Sequence, residues 1–107
     1  MIARVWRGWA ALPNAVAYET HFRTEVLPHL KEVRGFRGAD LLRREDGAES
    51  EFVVVSYFES LDAVRDFAGD EYERAIVAPE AQQMLSRFEQ RATHYEVLHA
   101  RDAKEGS

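Results

Sequence analysis

Two of the four histidines stand where proton transfer could be organised. His21 has Tyr18 three residues before it and Glu25 four residues after it. On a helix these three share one face, and the carboxylate could orient the imidazole. His94 sits in the segment Thr93-His94-Tyr95-Glu96-Val97, whose β-branched and aromatic residues favour a strand. An imidazole is the natural general base near neutral pH, so each is a candidate catalytic base. The competing reading is a core or interface histidine whose partner only satisfies it, since structural networks also perturb titratable groups.

Arg4 and Trp6 lie two apart near the N-terminus, on one face of any strand that contains them. Together they offer a stacking surface and a cation for an anionic aromatic ligand. Arg7 and Trp9 form the same kind of pair on the opposite face, and a one-residue slip in register would exchange the two. Tyr57, Phe67 and Tyr72 are candidate pocket walls, and each also fits an ordinary core stripe.

Several other chemistries are excluded. There are no cysteines, which removes disulfides, thiolate metal sites and thiol nucleophiles together. His29 and His99 form no zinc-binding spacing with His21 or His94. Gly35 and Gly38 stand in Gly-Phe-Arg-Gly, which is not a phosphate-binding loop, and Ser50, Ser56, Ser60 and Ser86 show no nucleophile-elbow pattern. No metal site is therefore expected. Glu71, Glu73 and Arg74 read as solvated surface. Fourteen Lys and Arg against nineteen Asp and Glu give a net charge of −5, the wrong sign for a nucleic-acid partner.

These side chains must be positioned by a single domain, since 107 residues suffice for one hydrophobic core. Its expected span is 1–100, with a frayed tail over 101–107 that carries no aliphatic residue larger than alanine. Ile2 to Ala10 reads as a strand. Val16, Tyr18, His21, Phe22, Glu25, Val26, Leu30 and Val33 follow at helical spacing to near Gly35, with a kink expected at Pro28, or a short second segment from Pro28 to Val33. Arg37 to Glu45 and Glu51 to Phe58 form a hairpin about Asp46-Gly47, supported by Arg43 and Arg44 facing Glu49 and Glu51. Leu61 to Ala68 and Tyr72 to Val77 read as two short helices, and a third starts at Pro79 and runs to about Gln90. Thr93 to Ala100 is the last strand.

The order strand, helix, strand, strand, helices, strand predicts an α+β fold: the split βαβ of ferredoxin-like domains, with a four-stranded antiparallel sheet. Phe52, Val54 and Phe58 would point to one face and Val53, Val55 and Tyr57 to the other, so both faces are apolar. The chain has no element left to cover the second face. A homodimer packed sheet to sheet is the expected solution. No run approaches the roughly 20 apolar residues of a membrane span, and charge interrupts the N-terminus before a signal-peptide core forms. A soluble, cytoplasmic protein is expected.

Ile2-Ala3-Arg4-Val5-Trp6, Gly35-Phe36-Arg37-Gly38, Phe58-Glu59-Ser60-Leu61-Asp62-Ala63 and His94-Tyr95-Glu96-Val97 occur in this order. With them the chain resembles, over nearly its whole length, the antibiotic biosynthesis monooxygenase family of dimeric α+β barrels. The resemblance implies a homodimer with a small-molecule cleft between sheet and helices in each subunit. Members include metal- and flavin-free oxygenases of aromatic, polyketide-derived compounds, and relatives that degrade haem. The haem-degrading pattern of Asn, Trp and His falls on Arg7, Phe67 and Val77, and a valine cannot ligate iron. The aromatic-oxidising branch implies Asn, Trp, Tyr and Arg around the cleft, whereas the one Asn here, Asn14, lies in a turn. Two functions follow. One is a cofactor-independent monooxygenase with His94 or His21 as base and Arg4, Trp6 and Tyr57 shaping the pocket. The other is a non-catalytic dimeric module that binds a small hydrophobic ligand.

Overall fold

The computed structural model describes residues 1–101. The expected frayed tail lies outside the described residues beyond Arg101. The first strand, β1, runs Ile2–Ala11 and passes through a 3₁₀ turn at Leu12–Asn14 into helix α1, Ala15–His21. The ladder then widens to a π-turn over Phe22–Val26 before α2, Leu27–Lys31. Pro28 explains the widening. It has no N–H to donate and its ring would press on the carbonyl four residues back. The backbone accommodates it by an i→i+5 bond from Leu27 N–H to the Phe22 carbonyl. The expected kink is thus a local unwinding.

Strands β2 (Phe36–Asp46) and β3 (Glu49–Phe58) form the hairpin. Its two-residue loop starts with Gly47 at φ 66°, a left-handed conformation that glycine adopts without penalty. Arg44 stands opposite Glu51 and pairs with it at 2.7 Å. Glu49 turns instead to Arg87 and to the Ser86 hydroxyl. Helix α3, Leu61–Ala68, is capped by Ser60, whose Oγ accepts from Ala63 N–H, and is ended by Gly69 at φ 86°.

Beyond α3 the chain departs from its local periodicity. Tyr72 to Val77 is not helical. Its backbone pairs with the later segment, Ala75 N–H donating to Gln90 O at 2.9 Å and Ala92 N–H to Glu73 O at 2.7 Å. Helix α4 covers only Pro79–Met84. Leu85 is extended, Ser86 N–H bonds the Trp9 carbonyl, and Arg87–Phe88 joins the sheet as β4. The final strand, β5, is shorter than expected at Thr93–Glu96.

The fold is α+β with an open antiparallel sheet of five strands in the order β2-β3-β1-β4, with β5 also pairing β1. Five strands replace the expected four because the outer position is divided: β4 pairs Gly8 and Trp9, and β5 pairs Ile2 to Val5. Between them the edge peels away to meet residues 73–75. Even-numbered residues of β1 and β3 face the helices, and Ala3, Val5, Trp9, Val53, Val55 and Tyr57 occupy the other face. Among the described residues no helix or strand covers that face, which Arg101 reaches at Asp40 and which leaves Leu42 52% and Tyr95 56% exposed.

The core beneath the helices is divided in two. One cluster gathers Ala10, Ala15, Tyr18, Phe52, Ala81 and Leu85, and the other Leu30, Phe58, Ala63 and Val64. Among the described residues no helix is long and apolar enough to cross a membrane.

Candidate functional site

The gap between the two clusters is a cleft of about 490 Å³. Its floor is sheet: Arg4 and Trp6 from β1, Val54 and Ser56 from β3. Its walls are Tyr18, His21 and Glu25 from the first helical run, Leu30 from α2, Phe67 from α3, and Val77 and Ala81 from the 70s segment and α4. Strand alternation selects the floor. Because Phe52 and Phe58 bury inward, Val54 and Ser56 between them must face the same way, and the β1 register sets Arg4 opposite Ser56 and Trp6 opposite Val54. The π-turn bends the first helical run between the two core clusters, with His21 at its start.

Arg4 is the unusual group. It is 5% exposed, and burial draws its pKa down from 12.5 to about 10. Buried cations normally pair with a carboxylate, but among the described residues Arg4 has none. Its Nη1 donates to the Tyr72 carbonyl and to His94 Nε2 at 3.0 Å, and its Nη2 donates to the Arg74 carbonyl at 3.2 Å. Three of the five guanidinium N–H groups are thus used, and Nε–H and one Nη2–H take no partner among the described residues. The guanidinium also lies 5.5 Å from the centroid of the Phe67 ring.

The geometry sorts the predicted site residues. His21, Arg4, Trp6 and Phe67 meet at the cleft. His21 is buried, 6% exposed, with its ring centroid 6.1 Å from that of Tyr18, and no hydrogen bond joins it to Glu25 among the described residues. Trp6 is immobilised by its indole N–H, which donates to the Glu89 carbonyl at 2.8 Å. His94 and Tyr72 are not on the cleft. They lie behind Arg4 and line a second hollow of about 450 Å³. A guanidinium only donates, so His94 Nε2 must accept and the imidazole is neutral, protonated on Nδ1. Burial first, and Arg4 second, hold its pKa below the ordinary value, with Glu73 pulling weakly the other way.

Tyr57 is on the opposite face of the sheet and donates to Asp40 at 3.2 Å. Burial and the Asp40 carboxylate raise its pKa. As an odd-numbered residue of β3 it cannot share a floor with Ser56, so it does not wall this cleft. Arg7 and Trp9 also stay off it, Arg7 paired with Glu89 and Trp9 stacked under Arg87 at 4.0 Å. Conversely, Ser56, Val54 and Val77 line the cleft without having been singled out as pocket residues. The signal for Ser56 was available in the alternation of β3, once the outer strand register is known.

A larger hollow of about 890 Å³ lies between the 70s segment and residues 88–91. Its two arginines are paired, Arg74 with Glu71 at 3.5 Å and Arg91 with Glu73 at 3.1 Å, so it lacks the uncompensated cation of the cleft. Among the described residues no three His, Asp or Glu side chains converge as a metal site.

The sequence profile of the antibiotic biosynthesis monooxygenase family matches residues 1–79. The chain belongs to this family. That match covers β1 through α3 and so most of the cleft. No curated protein matches the chain. Among solved structures it is similar to a Bacillus cereus protein provisionally assigned as an antibiotic biosynthesis monooxygenase, with 16% identity, 97% of each chain covered and a TM-score of 0.69. It is also similar to SnoaB, a cofactor-independent oxygenase from Streptomyces nogalater, with 20% identity, 95% of this chain and 97% of that one covered, and a TM-score of 0.65. A MhuD variant with two manganese protoporphyrin IX molecules per active site gives 19% identity, 96% and 100% coverage and a TM-score of 0.69. At these identities the likeness is one of fold, and one fold carries different chemistries.

The porphyrin can be weighed against the side chains present. Of the three positions matched to the haem-degrading pattern, Phe67 and Val77 do line the cleft, whereas Arg7 points to the far face. Val77 has no donor atom for a metal, so these residues do not reproduce that pattern.

Proposed function

We propose that this family member is a cofactor-independent monooxygenase of a small, flat, anionic aromatic or polyketide-like compound. One observation carries the reading: a buried guanidinium with spare donors and, among the described residues, no carboxylate paired with it, on the floor of a cleft that His21 and His29 also line, together with Glu25, Glu32 and Glu80. Arg4 would hold a phenolate or carboxylate of the ligand, with Trp6 and Phe67 against the ring faces. His21 is the base.

The chemistry balances without a further reductant, because the substrate supplies the electrons. His21 removes a proton from an activated CH₂ between aromatic rings, and Arg4 stabilises the charge spread onto the ring oxygen. The carbanion passes one electron to O₂, and recombination forms a C–O bond and a peroxide anion that takes the proton back from His21. Loss of the second C–H proton and cleavage of O–O then give a ketone and water, so that R₂CH₂ + O₂ becomes R₂CO + H₂O.

The protein would act as a homodimer joined by the open sheet face, which the half-exposed Val5, Val53 and Val55 and the exposed Leu42 favour. A second reading, a non-catalytic dimeric module for a small hydrophobic ligand, is favoured by the absence of a hydrogen bond orienting His21. Oxygen uptake by metal- and flavin-free protein with a panel of hydroxylated anthrones decides between them. Turnover that His21→Ala abolishes supports the oxygenase. Saturable binding with no oxygen uptake supports the binding module.

A further inference from the structure

Arg4 lines the main cleft and, through its hydrogen bond to His94, reaches the edge of a second hollow. That hollow holds His94, Tyr72, Glu73, Arg91 and Glu96. His94 therefore keeps its own route to water when the cleft is filled. In the free protein its Nε2 is occupied by an Arg4 N–H.

We infer that His94 takes up a proton when an anion occupies the cleft, so that Arg4 and His94 together form a proton-coupled anion latch. The inference rests on the reading of Arg4 as the anion seat. An anion on the spare Nε–H and Nη2–H offsets the guanidinium charge and draws Arg4 toward the cleft, which loosens its hold on Nε2 and favours a proton there from the second hollow. The groups facing the imidazole define the balance. Arg4 from β1 opposes the charge, and the Tyr72 ring meets it edge-on at 5.1 Å. The Glu73 carboxylate favours the imidazolium, with its own partner Arg91 moderating it at 3.1 Å. Glu96, also exposed in that hollow, adds a second negative charge on the same strand. With Arg4 neutralised, two carboxylates against one arginine remain. The depressed pKa of the free imidazole agrees with this, since one of its two causes is the charge that the anion would cancel. Linkage then requires that acid strengthen anion binding as much as the anion strengthens proton binding.

The test uses naphthalene-2-sulfonate, which stays ionised throughout, and the full chain. Calorimetry in buffers of different ionisation heat should show proton uptake on binding, and affinity should rise several-fold from pH 7.5 to 5.5, with a ceiling of about tenfold per unit for one proton. Both effects should persist in His21→Gln, which removes the buried histidine of the cleft wall, and vanish in His94→Gln, whose amide oxygen keeps the acceptor for Arg4. Uptake lost in His21→Gln, or retained in His94→Gln, overturns the latch while leaving the anion seat standing. Binding unaffected by Arg4→Met overturns the seat itself, and the latch with it.

Discussion

Arg4 Nη1 and His94 Nε2 meet at 3.0 Å across ninety residues of sequence. The contact fixes the imidazole as the neutral, accepting partner and occupies the lone pair that a general base would need. It also divides labour between the two histidines, since His21 alone of this pair opens on the cleft.

Replacing Arg4 by methionine tests the guanidinium directly. The change removes both a burial penalty and three hydrogen bonds, so stability in urea should move by no more than about 1–2 kcal/mol in either direction. Affinity for naphthalene-2-sulfonate should fall tenfold or more, because a charge-assisted contact contributes about 1.5–3 kcal/mol, whereas a neutral naphthalene should bind almost unchanged.

His21→Gln preserves shape and removes the proposed base. Oxygen uptake with a hydroxyanthrone should drop on the order of 10²–10⁴-fold while ligand affinity stays within a few-fold. Equal loss in His94→Gln would reverse the assignment of the base.

Gly8 lies beneath the Trp6 ring, and a Cβ there would come within 2.7 Å of the indole. The indole cannot retreat freely because its N–H is held by the Glu89 carbonyl. Gly8→Ala should therefore cost on the order of 1–3 kcal/mol by chemical denaturation and weaken ligand binding as Trp6 tilts. Unchanged stability would show that the ring moves at no cost.

Val5 and Val55 are directly opposed at the centre of the open sheet face. Val55→Asp should place a charge in the proposed sheet-to-sheet contact, so sedimentation should show a protomer in place of a dimer, with the far-ultraviolet spectrum retained. A wild-type chain that already sediments as a protomer would remove the dimer from the functional reading.

The free protein should lose stability as pH falls below 6.5. Because the His94 pKa is lower folded than its ordinary 6.5, the unfolded chain binds the proton first, so stability present above 6.5 declines toward the depressed value and levels off below it. Thermal unfolding of wild type and His94→Gln across pH 4.5–8 isolates this slope as their difference.

The alternation of β1 and β3 and the hairpin at Gly47 were legible in the sequence because each depends on neighbours a few residues away. So was the pairing of Arg4 with Trp6 on one face, which period-two geometry dictates. Residues 72–77 and 85–88 were misjudged as helix for the opposite reason. Their apolar spacing suits a helix, yet Ala75 N–H bonds the Gln90 carbonyl, the Glu73 carbonyl accepts from Ala92 N–H, and Ser86 N–H bonds the Trp9 carbonyl, all partners outside the local turn. Those same long-range bonds place Tyr72 and Arg74 so that their carbonyls hold Arg4, and β5 so that His94 faces it. Composition and periodicity determined the layers and the residue types available for chemistry. Only the tertiary structure decided that His21 and not His94 reaches the cleft and that, among the described residues, no carboxylate pairs with the arginine on its floor, because both depend on the register of segments that meet from opposite ends of the chain.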